Sequence, residues 1–168
     1  GNIDEVRVWN VARTQADIKS NMYRQLTGGE SGLVSYYKMT DGSGTTLTDN
    51  KGSNHGTLTN GPLWKSSGCF AGPRYGLLFD GTNDYVVVND ANSLDLTDNY
   101  TLEAWIKATT FKSLGGIISK YQTSGANGYF LRLSGSGSYN DLNFDDLTTT
   151  GLNLQTNIWY HIAAVKSG

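Results

Sequence analysis

Short apolar segments recur along the chain at intervals of about ten residues, with turn-forming Gly, Asn, Asp and Ser between them. They are rich in β-branched and aromatic residues, which favour strands. The segments are GLVSYYKM, YGLLFDG, DYVVVND, YTLEAWIKA, GGIISKY, GYFLRLS, DLNFD and IWYHIAAVK. Regular short strands indicate an antiparallel sandwich or jelly roll rather than a parallel sheet with crossover helices. The pattern therefore predicts an all-β fold.

Two of these segments, YVVV and HIAAV, are apolar on both faces of the predicted strand. A strand that faces water on one side normally alternates apolar and polar residues, whereas a strand covered on both sides does not. The pattern predicts that these two strands are central and covered on each face.

One stretch, residues 12–30, has the apolar spacing of a helix. Thr14, followed three residues later by Asp17, resembles a capping box at a helix N-terminus. Apolar residues then recur at every fourth position, which places them on one face of a helix. These residues are Ile18, Met22 and Leu26. The Gly-Gly pair at 28–29 supplies a left-handed stop, so the sequence predicts one short helix.

The first strand, GNIDEVRVWN, places a carboxylate among apolar residues. Side chains alternate across a strand, so Asp4 is expected to share a face with Val6 and Val8. If the two valines face the core, Asp4 faces it too. A carboxylate in that position costs several kcal/mol unless it is paired or bound to a metal. Asp4 is therefore a candidate metal ligand or buried ion-pair partner.

A second pair of acids lies in the segment FDGTNDYVVV. Asp80 ends one predicted strand and Asp84 opens the next. Asp suits turns because its side chain accepts hydrogen bonds from nearby backbone amides. Calcium also prefers such positions, where carboxylates and free backbone carbonyls meet. The residues alone leave both roles open.

Composition narrows the classes of partner. The 168 residues carry a net charge of −2 and no basic cluster, which argues against a nucleic-acid partner. No apolar run approaches the roughly 18 residues of a membrane span, so membrane insertion is not expected. The length suits one domain. The start at GNIDEV, without Met, suggests a piece of a longer protein.

The sequence lacks the short motifs of hydrolases, phosphate-binding loops and zinc proteases. Glycoside hydrolysis needs two carboxylates roughly 5–9.5 Å apart, which a strand supplies through alternating acids on one face. No such run occurs: Glu103 stands alone, and Asp145 and Asp146 lie on opposite faces of their strand. His161, in the middle of a strand, is interpreted as a packed residue. We therefore expect no enzymatic activity.

Five blocks of the sequence are specific in combination and in order. They are NIDEVRVWNVARTQADI, GLVSYYKMTDGSGTTLTDNKGSNHGTLTNGPLW, GLLFDGTNDYVVV, YTLEAWIK and IWYHIAAVK. Together they resemble the laminin-G-like domains of bacterial secreted proteins, within the concanavalin A-like lectin/glucanase superfamily. The resemblance covers nearly the whole chain. It implies a single jelly-roll domain over residues 1–168, built from two antiparallel sheets.

In the family that the chain resembles, the block IDEVRVWN-x-ART closes a domain, whereas GLVSYYK stands near an opening. The chain thus resembles the end of one repeat, residues 1–30, joined to most of the next, residues 31–168. We favour an arrangement in which residues 1–30 fold back as a permuted closing strand and helix on the same sandwich. In the alternative arrangement, a sheet edge stays open and pairs with a second copy to form a homodimer.

The resemblance also implies a structural calcium ion. Related domains hold calcium through the Asp of the closing strand together with loop carbonyls, and Asp4 matches that Asp. Its expected partner in the loop is Asp80 or Gly81, with Asp84 as a weaker candidate. The catalytic acid motif of the superfamily's glucanases is missing, so the resemblance does not imply hydrolysis.

The resemblance implies a non-catalytic binding or adhesion module of a larger secreted or cell-surface protein, with a carbohydrate or an extracellular protein as its partner. Exposed aromatic rings contact sugars, and three candidates lie in or next to loops. They are Trp64, Tyr121 and Tyr139. Packing within the domain is the alternative role of each ring. A purely structural spacer is the alternative function, and a glycoside hydrolase fragment is less favoured.

Overall fold

The computed structural model describes residues 1–66, 69–70, 75–121 and 128–168. The described elements include one α-helix, α1 (Gln15–Asn21), and a short 3₁₀ turn (Asn92–Leu94). The strands are β1 (Asn2–Trp9), β2 (Leu33–Tyr37), β3 (Thr46–Leu47), β4 (Gly56–Thr59), β5 (Leu63–Lys65), β6 (Gly76–Leu78), β7 (Tyr85–Val88), β8 (Tyr100–Lys107), β9 (Gly116–Tyr121), β10 (Gly128–Leu133), β11 (Leu142–Phe144), β12 (Leu147–Thr148) and β13 (Tyr160–Lys166).

The described strands pair in antiparallel fashion and form three sheets. Sheet A has the order β13-β8-β1-β6-β5, with β2 also paired to β1; sheet B has the order β3-β4-β7; sheet C has the order β12-β11-β10-β9. Leu102 of sheet A packs in one cluster with Leu131 of sheet C. Leu77 of sheet A packs in another with Leu47 of sheet B. The fold is therefore an all-β sandwich, as predicted, whose second layer is divided into two sheets.

The first strand of the chain lies inside sheet A rather than at its edge. It pairs with β8 on one side, and on the other side with β6 at its start and β2 at its end. Residues 1–30 thus fold back on the same sandwich in this structure. The permutation of a repeat and dimerisation through an open edge stay predictions.

A β-bulge at Glu5 shows that the predicted facing of Asp4 is wrong. Glu5 has a φ of 53°, and the register with β8 shifts just after Asp4. The extra residue of a bulge reverses the alternation of side chains beyond it. Val6 and Val8 pack against the core, as predicted. Asp4 lies on the opposite face of sheet A, paired with Trp105 across to β8.

Helix α1 begins where the sequence predicts and ends earlier. Thr14 is its N-cap, and its hydroxyl accepts a hydrogen bond from the amide of Asp17 at 3.1 Å. The helix then stops at Asn21, well before the Gly-Gly pair. At that end the Arg7 guanidinium donates to the carbonyl of Asn21 at 3.2 Å. A cation that satisfies the terminal carbonyls stabilises a helix end. The apolar spacing within the helix does not predict this contact, because Arg7 comes from β1.

The two strands predicted to be central are edge strands instead. In the described part of the chain, β7 pairs with β4 alone and β13 pairs with β8 alone. Tyr85 and Val87 on β7 are 47% and 46% exposed, so one face of this apolar strand meets water. Tyr and Val favour strands through their shape as well as through burial. A continuous apolar run is therefore not sufficient evidence for a central position.

Charged side chains are buried on the outer face of sheet A, beneath α1. Arg7 lies 3.0 Å from a carboxylate oxygen of Glu5 and 3.6 Å from one of Glu103. His161 Nε2 lies 3.1 Å from the same Glu103 oxygen, and Arg13 lies 3.3 Å from the other. The side chains of Glu5, Arg7 and Glu103 are at most 1% exposed. We call these five residues the Arg7 cluster.

The Arg7 cluster also fixes the segment that covers it. Arg7 Nη2 donates to the carbonyl of Arg24 at 2.8 Å, just beyond the end of α1. Trp105, beside the cluster on β8, donates from its indole to the carbonyl of Met22 at 2.9 Å. These side chains bind backbone carbonyls that would otherwise be unpaired where the helix ends. The helix and its following loop are thereby attached to sheet A.

We expect Arg7→Met to lower the free energy of unfolding by about 3–5 kcal/mol, because it leaves two buried carboxylates without their shared cation. Urea unfolding followed by tryptophan fluorescence measures the change. Lys166→Met is the matched control, since Lys166 pairs with Asp145 at the surface and is 46% exposed. Surface pairs of this kind contribute only about 0–1 kcal/mol. Equal stability of Arg7→Met and the wild type would contradict a structural role for the cluster.

Candidate functional site

Asp4 is buried, and its hydrogen-bond partners are two backbone amides and the thiol of Cys69. Its side chain is 2% exposed. One carboxylate oxygen accepts the amide of Glu5 at 2.8 Å and the other accepts the amide of Cys69 at 2.9 Å. Burial raises the pKa of Asp4 to about 6, against the opposing effect of these hydrogen bonds. The cost of burying the carboxylate is thus reduced by hydrogen-bond donors and by protonation.

The other residues predicted to bind calcium share one turn between β6 and β7. Asp80 accepts the amide of Thr82 at 2.7 Å, and Asp84 accepts the amide of Asp80 at 2.9 Å. The hydrogen bond from the Thr82 amide is the main cause of a lowered pKa at Asp80. The carbonyl of Gly81 accepts a hydrogen bond from the Lys112 ammonium. Both carboxylates therefore act as turn caps.

This turn borders a recess of about 410 Å³ near the start of β1. Its lining mixes polar and apolar residues, among them Asn60, Leu63, Phe79, Asp80, Asp84 and Thr109. Calcium takes about six to eight oxygen ligands. Within the described ranges, no group of three or more His, Cys, Asp or Glu residues is placed to hold a metal. The carboxylate of Asp4 accepts the amides of Glu5 and Cys69, neither of which belongs to this turn. Calcium at the turn stays a prediction.

The three aromatic residues predicted to contact a ligand lie in three different places. Trp64 on β5 is half-buried, and its indole donates to the carbonyl of Gly44 at 2.9 Å. Tyr121 ends β9 and is 48% exposed. Tyr139 lies in the turn after β10, at the opposite end of that strand from Tyr121. The length of β10 alone separates these two ends by roughly 17 Å. Trp64 lies on a strand of sheet A, whereas Tyr121 lies on sheet C.

Tyr121 belongs to a row of side chains on the outer face of sheet C. Its ring packs edge-on against Phe130 of the neighbouring strand, with 5.4 Å between ring centroids. The guanidinium of Arg132 lies 4.0 Å from the centroid of the Phe130 ring. Arg132 Nε then donates to the side-chain oxygen of Asn143 on β11 at 2.8 Å. We call Tyr121, Phe130, Arg132 and Asn143 the Tyr121 strip.

The alternation of side chains along β10 explains the strip. Leu131 and Leu133 are buried in the core, so Phe130 and Arg132 point away from it. Antiparallel pairing places Asn143 directly opposite Arg132. A guanidinium above an aromatic ring is attracted by the negative face of the ring. The sequence alone singles out only Tyr121, because the role of its neighbours depends on which face of β10 is buried.

The carboxylates that flank Arg7 do not resemble a hydrolytic pair. The sequence predicts that Glu103 stands alone among the acids. In the structure it shares the Arg7 guanidinium with Glu5. A glycosidase places its two carboxyl groups on either side of a bound sugar, whereas these side chains are at most 1% exposed. His161 is 6% exposed and packs edge-on against Trp105, as expected for a packed strand residue. The pair thus serves the fold.

A laminin-G family model, described as concanavalin A-like lectin/glucanases superfamily, matches residues 80–168, which is just over half of the chain. The chain belongs to this superfamily. No curated protein and no solved structure matches the chain. Laminin-G-like domains are generally non-catalytic binding modules and are typically extracellular. Among the described residues, no helix combines the length and apolar character needed to cross a membrane.

The matched part of this laminin-G-like domain contains the whole Tyr121 strip and the Asp80 turn, whereas Asp4 lies outside it. The strip and the turn lie on different parts of the sandwich. The strip is on sheet C, and the turn joins a strand of sheet A to a strand of sheet B.

We expect any rise in melting temperature caused by calcium to disappear in Asp80→Asn and to persist in Asp4→Asn. The reason is that Asp80 stands in a solvent-exposed turn, whereas both oxygens of Asp4 accept backbone amides. Thermal unfolding with calcium and with a chelator measures the effect. Loss of the calcium response in Asp4→Asn alone would contradict this placement.

We expect the stability of the wild type to fall as pH rises from about 4 to about 7, relative to Asp4→Asn. The folded protein holds the Asp4 proton up to a pKa of about 6, whereas the unfolded chain loses it near 3.8. The unfolded state therefore binds fewer protons in this window, and the difference amounts to about 3 kcal/mol. Chemical denaturation of both proteins across the pH range measures it. A constant difference would contradict the raised pKa.

Proposed function

We propose that this domain is a non-catalytic module that binds a carbohydrate through the Tyr121 strip, within a larger secreted or cell-surface protein. The observation that carries the proposal is the strip itself. An exposed tyrosine, a phenylalanine, a guanidinium and an amide follow one another across three neighbouring strands on the outer face of sheet C. A rigid sheet positions side chains for binding more precisely than a loop does.

The chemistry of the strip suits a sugar ring. Sugars present C–H groups on their faces and hydroxyl groups around their edges. The negative face of an aromatic ring attracts the C–H groups, and Tyr121 and Phe130 supply such rings. Arg132 can donate hydrogen bonds to sugar hydroxyl groups, and Asn143 holds the Arg132 side chain in place. Apolar surface bordered by polar groups is typical of an interaction site.

Superfamily membership supports a binding module at a coarse level, because a fold does not decide the ligand. A protein partner and a spacer without any ligand are the competing functions. They differ in a measurable way, since only a carbohydrate-binding module gives saturable binding to a soluble glycan. The strip needs no metal, so binding is proposed to be the same with calcium and with a chelator.

We expect Tyr121→Ala to weaken binding to a glycan selected from an array by about tenfold or more, as the loss of a central aromatic contact does. Isothermal titration calorimetry measures the affinity. Tyr85→Ala is the matched control, because Tyr85 is 47% exposed but lies on sheet B. Tyr139→Ala tests the third predicted aromatic residue at the far end of β10.

Three results would count against the proposal. An equal loss in Tyr85→Ala would place the binding surface elsewhere. A loss confined to Tyr139→Ala would move the ligand to the turn after β10. The absence of any glycan ligand, both with calcium and with a chelator, would favour the spacer or a protein partner.

A further inference from the structure

We infer that the Tyr121 strip recognises an acidic sugar, a glycan whose uronic-acid carboxylate pairs with the guanidinium of Arg132. The inference rests on the proposed carbohydrate-binding function. It concerns the charge of the ligand, which the aromatic rings of the strip do not decide.

Arg132 has no anionic partner among the described residues. The same holds for Arg24, which donates to the side-chain oxygen of Asn21 but lies beyond α1 with no described aromatic surface of this kind beside it. The recorded contacts of Arg132 are the ring of Phe130 and the side-chain oxygen of Asn143, both of them neutral. Arg7 and Arg13, in contrast, both pair with Glu103. A guanidinium stays charged at every physiological pH. A ligand with a carboxylate would supply the charge that Arg132 lacks.

The geometry leaves the two terminal nitrogens of the guanidinium available for a carboxylate. Asn143 takes the Nε hydrogen, so the two terminal nitrogens of Arg132 remain as a fork, which matches the two oxygens of a carboxylate. The guanidinium carbon of Arg132 lies 4.0 Å from the centroid of the Phe130 ring, which holds this end of the side chain against the sheet. Binding then requires little reordering of this side chain, and preorganisation of this kind favours affinity.

Asn143 is itself held in place, so the position of its hydrogen bond to Arg132 is fixed. Its side-chain amide donates to the carbonyl of Leu147 and to the hydroxyl of Thr148, each at 3.0 Å. These donations orient the amide so that its oxygen faces Arg132. The side chain is only 9% exposed. Asn143 is therefore a positioning residue, and Arg132 is the group that meets the ligand.

Two acids flank Asn143 at a distance of two residues, and both are already engaged. Asp141 accepts the amides of Gly151 and Leu152. Asp145, two residues after Asn143, accepts a hydrogen bond from the Tyr100 hydroxyl and lies 3.5 Å from the Lys166 ammonium. It is therefore committed to other partners. The strip thus offers one uncompensated positive charge beside two aromatic rings.

One cation suits a single carboxylate better than a polyanion. A highly sulfated chain is bound by a cluster of Lys and Arg, which generates a strong local field. The chain carries a net charge of −2 and has no basic cluster in its sequence. A sugar ring with one carboxylate would place its face on the exposed ring of Tyr121 and its charge on Arg132, while Phe130 supports both of these side chains. A uronic acid within a glycan offers this combination, and it is the acidic sugar that we infer.

The experiment compares charged and neutral forms of the same sugars. The probes are oligomers of galacturonic, mannuronic and glucuronic acid, each as the free acid and as its methyl ester, together with neutral galactose and mannose oligomers and heparin. Calorimetry with the wild-type domain is expected to show at least one free acid binding about tenfold or more tighter than its methyl ester.

The variants assign that preference to one side chain. Arg132→Gln is expected to remove the preference for the acid, so that the free acid and its methyl ester bind with the same affinity. Arg132→Lys is expected to restore only part of it, because an ammonium lacks the planar fork. Lys65→Gln removes the same charge from an exposed position on β5 and is expected to keep the preference in full. Circular dichroism of each variant checks that the fold is intact.

The outcomes separate this inference from the proposed function. Equal affinity for acids, esters and neutral oligomers, lost in Tyr121→Ala but kept in Arg132→Gln, would overturn the inference and retain carbohydrate binding. Heparin as the tightest ligand, with affinity that survives Arg132→Gln, would overturn it in favour of a polyanion. No binding to any of these sugars or to a glycan array would overturn both.

Discussion

The guanidinium of Arg7 brings together parts of the chain that are far apart in sequence. Glu5 on β1 and Glu103 on β8 provide its anions, and the carbonyls of Asn21 and Arg24 provide its acceptors at the end of α1. A buried charge is tolerated only when its partners are in place. The bulge in β1, the early end of α1 and the cover over sheet A therefore all depend on this one side chain.

The strand pattern of the sequence predicts most of the sandwich, because apolar period and turn residues are local signals. The bulge at Glu5 is not predictable in this way, since a left-handed backbone usually occurs at Gly or Asn. Without the bulge, Asp4 is assigned to the wrong face. The edge positions of β7 and β13 are not predictable for a related reason. The order of strands in a sheet depends on pairing between segments that are far apart in sequence.

The candidate site shows the same limit. Tyr121 is identifiable from its position at the end of a strand, beside turn-forming residues. Arg132 and Asn143 become a pair only through the register of β10 with β11, and Phe130 becomes accessible only because Leu131 is in the core. Local sequence therefore gives the kinds of residue on a binding surface, whereas tertiary structure decides which of them act together.

The place of β1 within sheet A has a consequence for the time course of folding. Val8 pairs with Ser35 of β2 and also with Leu102 of β8, which is much farther along the chain. The nearer pairing closes a short loop and the farther one a long loop, so their entropic costs differ. Topologies rich in distant pairings fold slowly. During synthesis, β1, α1 and β2 cannot complete their packing until β8 has been made. Until then, the acids of β1 and the guanidinium of Arg7 stay in contact with water.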